Sequence, residues 1–117
     1  MKRYIYHPIK WDWGISIPVM RMDGVGFFKF YMYDDIPNVG CVEHLSVLES
    51  HRHRGIATEM MKIHESMCIK YGAHESVLWV YERSWQREWY EELGYEEYEK
   101  HKHEKNAVWM HKYLQGV

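Results

Sequence analysis

Cysteine is scarce in this chain of 117 residues, which holds only Cys41 and Cys68. Two thiols supply neither a disulfide framework nor a metal-ligand spacing, so they read as small buried thiols of a reduced, cytoplasmic protein with no metal. Long apolar runs are missing too. No stretch approaches the roughly 20 residues that span a bilayer, which excludes a transmembrane helix and a membrane partner. The opening Met1-Lys-Arg-Tyr-Ile-Tyr-His-Pro8 is basic but lacks a following apolar run, so no signal peptide is expected. Charge of one sign is also lacking. Fifteen Lys and Arg against 17 Asp and Glu leave a net charge of −2, which argues against nucleic acid held by a global basic field. With no repeat, linker or low-complexity tail, residues 1–117 read as one domain, long enough for one core.

Aromatic residues are plentiful. Six Trp and ten Tyr raise the aromatic share to 16%, and such side chains bury much area each, which suits a small core. Ile15–Met22 and Val25–Tyr33 read as strands joined by Asp23-Gly24, a hairpin signal. Pro18 marks the first as an edge strand or a bulged one. Asp34–Asn38 is a loop, and Val39–Leu48 the third strand of an antiparallel meander. The period then becomes helical: Ile56, Met60, Ile63, Met67 and Tyr71, with Ala57, Met61 and Cys68 beside them, form one apolar stripe stopped by Gly72. Ser76–Tyr81 is apolar enough for a central strand. Ser84 can cap a short helix running to Leu93 and ended by Gly94, and Tyr95–Glu99 and Ala107–Leu114 read as a closing hairpin. The fold expected is α/β (α+β): a mixed, mostly antiparallel central sheet with helices packed on it.

The segment carrying most chemistry is Arg52-His-Arg-Gly-Ile-Ala57, where a strand passes through a glycine turn into a helix. Such a turn leaves backbone N–H groups unpaired at the positive end of the helix dipole, a seat for phosphate or pyrophosphate. Gly55, lacking a β-carbon, lets the chain turn sharply and an anion come close. A phosphorylated cofactor is expected.

Leu45-x-Val47, Arg52-x-x-Gly55-x-Ala57, the long helix and Tyr90-Glu-Glu-Leu-Gly94-Tyr95 together resemble the GCN5-related N-acetyltransferases, the GNAT superfamily, from about Val39 to Tyr95. The resemblance implies a splayed central strand pair that receives acetyl-CoA. It assigns Leu45, Ser46 and Val47 to the pantetheine arm through their backbone. It assigns the Arg52, His53, Arg54, Gly55, Ile56, Ala57 and Thr58 turn to the pyrophosphate. Family members usually carry two helices between their first and second strands. Here about 39 residues precede the strand entering the motif, so those N-terminal helices are expected to be reduced and the acceptor site open. Tyr90 matches the family's proton donor, and Glu43 falls where the aralkylamine acetyltransferases that this segment resembles carry a catalytic histidine.

The implied activity is N-acetyl transfer to a primary amine, leaning toward a protein or peptide lysine or a protein N-terminus. A lysine-like amine is mostly protonated at neutral pH, so a base must take its proton; Glu43 is the candidate, and Tyr90 the acid that meets the departing thiolate. By strand alternation Glu43 should share a side with Cys41, Leu45 and Val47. A backbone N–H near Val47 or Leu48 could stabilise the oxyanion. The alternative is a non-catalytic GNAT-fold module that binds acyl-CoA or another protein through Trp11, Trp13, Trp85 and Trp89. A docked partner or a homodimer mate could close the open acceptor side. His51-x-His53 and His101-x-His103 lack companion ligands, and Lys100-His-Lys-His-Glu-Lys105 reads as a solvated turn.

Overall fold

The computed structural model describes residues 3–114. Its strands are β1 (Tyr4–Tyr6), β2 (Ile9–Trp11), β3 (Gly14–Arg21), β4 (Gly26–Tyr33), β5 (Val39–Val47), β6 (Glu75–Tyr81), β7 (Glu96–Lys100) and β8 (Ala107–Tyr113). Helix α1 (Ile56–Lys70) lies between β5 and β6, and α2 (Trp85–Glu92) between β6 and β7. The strands form one eight-stranded sheet in the order β1-β3-β4-β5-β6-β8-β7, with β2 also paired to β3. Every pairing is antiparallel except that of β5 with β6. Among the described residues no helix precedes α1 beyond a single short turn at Glu49–His51.

Local chemistry sets the helix boundaries. The α1 stripe seals against β4, β5 and β6 through Ile56, Met60, Met61, Met67 and Cys68. Both helices end in the Schellman arrangement, in which a left-handed glycine lets two amides return to the last turn. For α1 these are Gly72 N–H to Ile69 C=O and Ala73 N–H to Cys68 C=O; for α2, Gly94 N–H to Glu91 C=O and Tyr95 N–H to Tyr90 C=O. Ser84 Oγ caps α2 by accepting the Arg87 amide at 3.3 Å.

Pro18 departs from expectation. Strand β3 is flanked on both sides, by β4 and by β1 with β2, so it is not an edge. The outer partner is interrupted between Tyr6, opposite Val19, and Ile9, opposite Ser16. Pro18 falls opposite that gap, where a missing N–H costs no ladder bond.

The main core joins Ile17, Val19, Phe28, Phe30, Val42 and Leu78 to both helices. On the other face of the sheet a smaller cluster of Tyr31, Cys41 and Val77 is flanked by Val39 and Trp109, with no helical residue in it. His64 stands outside the expected stripe yet is fully buried, its Nε2 2.7 Å from Ser76 Oγ.

Candidate functional site

At the turn entering α1, Gly55 has φ +75° and His53 φ +66°, so the chain reverses through two left-handed residues. Open space surrounds the Gly55 α-carbon. Among the described residues the amides of His53 through Thr58 donate to nothing, because the first bond of the helix runs from Glu59 N–H to Gly55 C=O. Arg52, His53, Arg54 and Gly55 are exposed, whereas Ile56 is buried and anchors the helix start. Arg52 folds back, its Nε donating to the Val47 carbonyl at 3.2 Å. The result is a row of free N–H groups at the positive end of a fifteen-residue helix.

Strands β5 and β6 pair only from Val39 opposite Glu75 to Cys41 opposite Val77. Beyond that point they part, and a cleft of about 280 Å³ opens between them. This is the splayed central pair. Its lining draws Val42, Glu43 and Leu45 from β5, Leu78 through Tyr81 from β6, and Tyr90 from α2. Val42, Leu45, Leu78, Val80 and Tyr90 also belong to the main core on the helix side.

Glu43 does not share a side with Leu45 and Val47, contrary to strict alternation. A β-bulge intervenes: Lys29 is opposite Glu43 but Phe27 is opposite Ser46, so His44 and Leu45 together face Phe28. His44 takes φ +58°, an uncommon conformation for a side-chain-bearing residue. The extra residue shifts the phase, sending Leu45 and Val47 to the main core while Cys41 stays on the opposite face. Nothing in the sequence around His44 signals this bulge.

The Glu43 carboxylate is half-buried, 3.2 Å from Lys29 Nζ and 3.5 Å from His44 Nε2. Tyr90 is buried, its hydroxyl unbonded among the described residues, and loss of hydration pushes its pKa up to about 12. At neutral pH it keeps its proton. Burial likewise pushes the Cys41 thiol up to about 12, so it is no thiolate nucleophile. The Leu48 amide, a candidate for a free oxyanion donor, is instead taken by the Val25 carbonyl at 2.9 Å. Ser46 and Val47 pair with β4 through Phe27 and Gly26 and do not line the cleft, whereas Leu45 does. The histidine pairs are engaged locally: His51 Nδ1 with Ser50 Oγ, and His101 Nδ1 with the amides of His103 and Glu104.

A seat of free amides thus stands at a helix start, and the strand leading to it lines a cleft where two parallel strands part. The family profile described as "Acetyltransferase (GNAT) domain" matches residues 19–97. The chain belongs to the GNAT family. Among solved structures, a GNAT family acetyltransferase from Elizabethkingia anophelis with acetyl-CoA bound superposes with a TM-score of 0.71 at 12% identity, over 97% of this chain and 100% of that one. The PaiA N-acetyltransferase from Thermoplasma acidophilum, in complex with coenzyme A, gives 0.68 at 19% identity, over 85% of this chain and 60% of that one. Ard1 from Thermoplasma volcanium gives 0.72 at 17%, over 86% and 70%. At these identities the likeness concerns the GNAT fold alone. A search of curated proteins gave no match.

Sequence reasoning did not reach Lys29, His44, Trp79 and Tyr81 as parts of the site. They come to it through strand register, and only for Trp79 and Tyr81 was there a usable signal, their place at the end of the central strand.

Proposed function

We propose that this GNAT protein is an acetyl-CoA-dependent N-acetyltransferase acting on a primary amine, with residues 1–117 working as one domain. The observation that carries the reading is the row of unbonded amides from His53 to Thr58, at the end of the strand whose Glu43 lines a cleft together with Tyr90. The amides would hold the diphosphate, and the free edge of β5 at Leu45, Ser46 and Val47 the pantetheine arm. Acetyl-CoA fits that seat: Gly55 leaves open space over the donors, and no side chain among the described residues fills it. Solved relatives of the same fold carry coenzyme A or acetyl-CoA.

The reaction asks little more of the chain. The amine nitrogen attacks the thioester carbonyl carbon, its proton passes to the Glu43 carboxylate directly or through water, and the C–S bond breaks. Tyr90, protonated across the neutral range, gives its proton to the leaving sulfur. Positioning both reactants in one cleft supplies much of the acceleration. With no helix before α1 among the described residues, the open face favours a lysine or N-terminus of a peptide or protein. Two buried thiols fit a reducing cytoplasm.

A second reading, a non-catalytic module that binds acyl-CoA or a protein, draws on exposed aromatics. Trp11 and Trp13 stack at 6.3 Å, and Trp85 is exposed, though Trp89 packs against the core. A thiol-release assay over a panel of peptides and small amines decides between the two. Turnover supports the enzyme; stabilisation by acetyl-CoA without thiol release on any acceptor would support the module. Acetylation of small polyamines alone would overturn the lean to peptides.

A further inference from the structure

The Tyr90 hydroxyl has no hydrogen-bond partner among the described residues, so its aim must come from what its ring rests on. Its ring meets Trp89 at 4.8 Å and Tyr95 at 5.8 Å between centroids, the latter edge-on at 69°. Trp89 is its immediate neighbour on α2. Tyr95 is the fixed one. Its amide returns to the Tyr90 carbonyl at 3.0 Å through the left-handed Gly94, which brings the two rings together across the helix end.

The far end of Tyr95 is anchored by a polar chain, buried at His64 and Ser76 and partly exposed at Glu65 and Lys112. Its hydroxyl donates to Glu65 Oε2 at 2.9 Å and lies 2.8 Å from Ser76 Oγ, which lies 2.7 Å from His64 Nε2. Lys112 Nζ reaches Glu65 at 3.1 and 3.3 Å and sits 5.7 Å from the Tyr95 ring centre. The direction of every bond is forced. A carboxylate only accepts, so Tyr95 spends its single proton on Glu65. Ser76 must then donate to Tyr95, and His64 must donate to Ser76 from Nε2. His64 Nδ1 therefore carries no proton, and it has no hydrogen-bond partner among the described residues. Helix α1 and strand β6 thus meet at one phenolic oxygen, and strand β8 supports it through the Lys112–Glu65 pair.

We infer that Tyr95 is a positioning residue for Tyr90, held by the His64–Ser76–Tyr95–Glu65–Lys112 chain so that the Tyr90 hydroxyl faces the cleft. The inference rests on Tyr90 acting as the proton donor of the proposed reaction. Removing only the Tyr95 hydroxyl leaves both rings in contact but frees one of them to rock. The cost should fall on turnover and leave cofactor affinity alone.

The experiment is a double-mutant cycle of Tyr95→Phe and Tyr90→Phe, read as kcat and as KM for acetyl-CoA. Tyr95→Phe is expected to lower kcat about 3- to 10-fold with KM unchanged, and to have no further effect in the Tyr90→Phe background. An unchanged kcat, or a fall of equal size in the Tyr90→Phe background, overturns the inference while leaving the donor role intact. If Tyr90→Phe is as active as the wild type, the donor role is wrong and the inference falls with it. Should Tyr95→Phe fail to fold, Ser76→Ala removes the bond that orders the hydroxyl, and the same readings apply.

Discussion

Lys29 stands opposite Glu43 on the neighbouring strand, and its ammonium lies 3.2 Å from the carboxylate. The pair occupies the stretch just before the His44 bulge, where β5 has already parted from β6. A carboxylate tethered there, at the lining of the cleft, can meet an incoming amine without being sealed in the core. Glu43→Gln keeps size and polarity but cannot accept a proton. It is expected to lower kcat by about 10²–10⁴-fold with KM for acetyl-CoA nearly constant. A fall of under about fivefold would remove Glu43 from the role of base.

Gly55 tests the anion seat. A β-carbon there meets no atom within 4 Å, so substitution acts through the left-handed backbone and by covering the free amides. Gly55→Ala is expected to cost about 1 kcal/mol of stability. Gly55→Val adds bulk over the donors and should weaken acetyl-CoA binding by about tenfold or more in calorimetry. Unaltered affinity in the valine variant would rule out the turn as the diphosphate site.

Gly40 tests the packing beneath α1. A β-carbon there would stand 2.5 Å from Cys68 Sγ and 3.1 Å from Phe30 Cε2. Gly40→Ala is expected to destabilise by about 1–3 kcal/mol in urea unfolding, as overpacked cores do. Adding Cys68→Ala makes room, so the double variant should recover part of that loss. Additive losses would show that the close approach is not the cause.

His64 predicts how stability follows pH. Burial holds its folded pKa down at about 3 against an ordinary 6.5. Between those values the unfolded chain takes up a proton that the folded one refuses. The contribution is therefore complete above about pH 6.5 and is lost as pH falls toward 3, at about 1.4 kcal/mol per pH unit. Unfolding free energies measured from pH 7 to 4 should fall more steeply for the wild type than for His64→Gln. Parallel curves would contradict the assignment.

Much of this protein could be read from short stretches. The stripe of α1, the glycine stops at Gly72 and Gly94, the Ser84 cap and the anion seat at Gly55 depend on residues within a turn of one another. Their physics is complete in the segment itself. The mostly antiparallel sheet was legible in the same way, from alternation and turn residues.

The remainder depended on which strands meet. The residues themselves gave no sign of the short parallel contact of β5 with β6, and the open cleft follows from that contact, because a ladder bonds backbone to backbone and leaves little trace in side-chain identity. The bulge at His44 was invisible for the same reason, yet it sends Leu45 and Val47 to the side opposite Glu43. His64 reads as one polar residue on a helix, and only the fold brings Ser76, Tyr95 and Glu65 to it from distant parts of the chain. Local sequence determined the elements and the phosphate-binding turn, while tertiary pairing decided which side chains share the cleft.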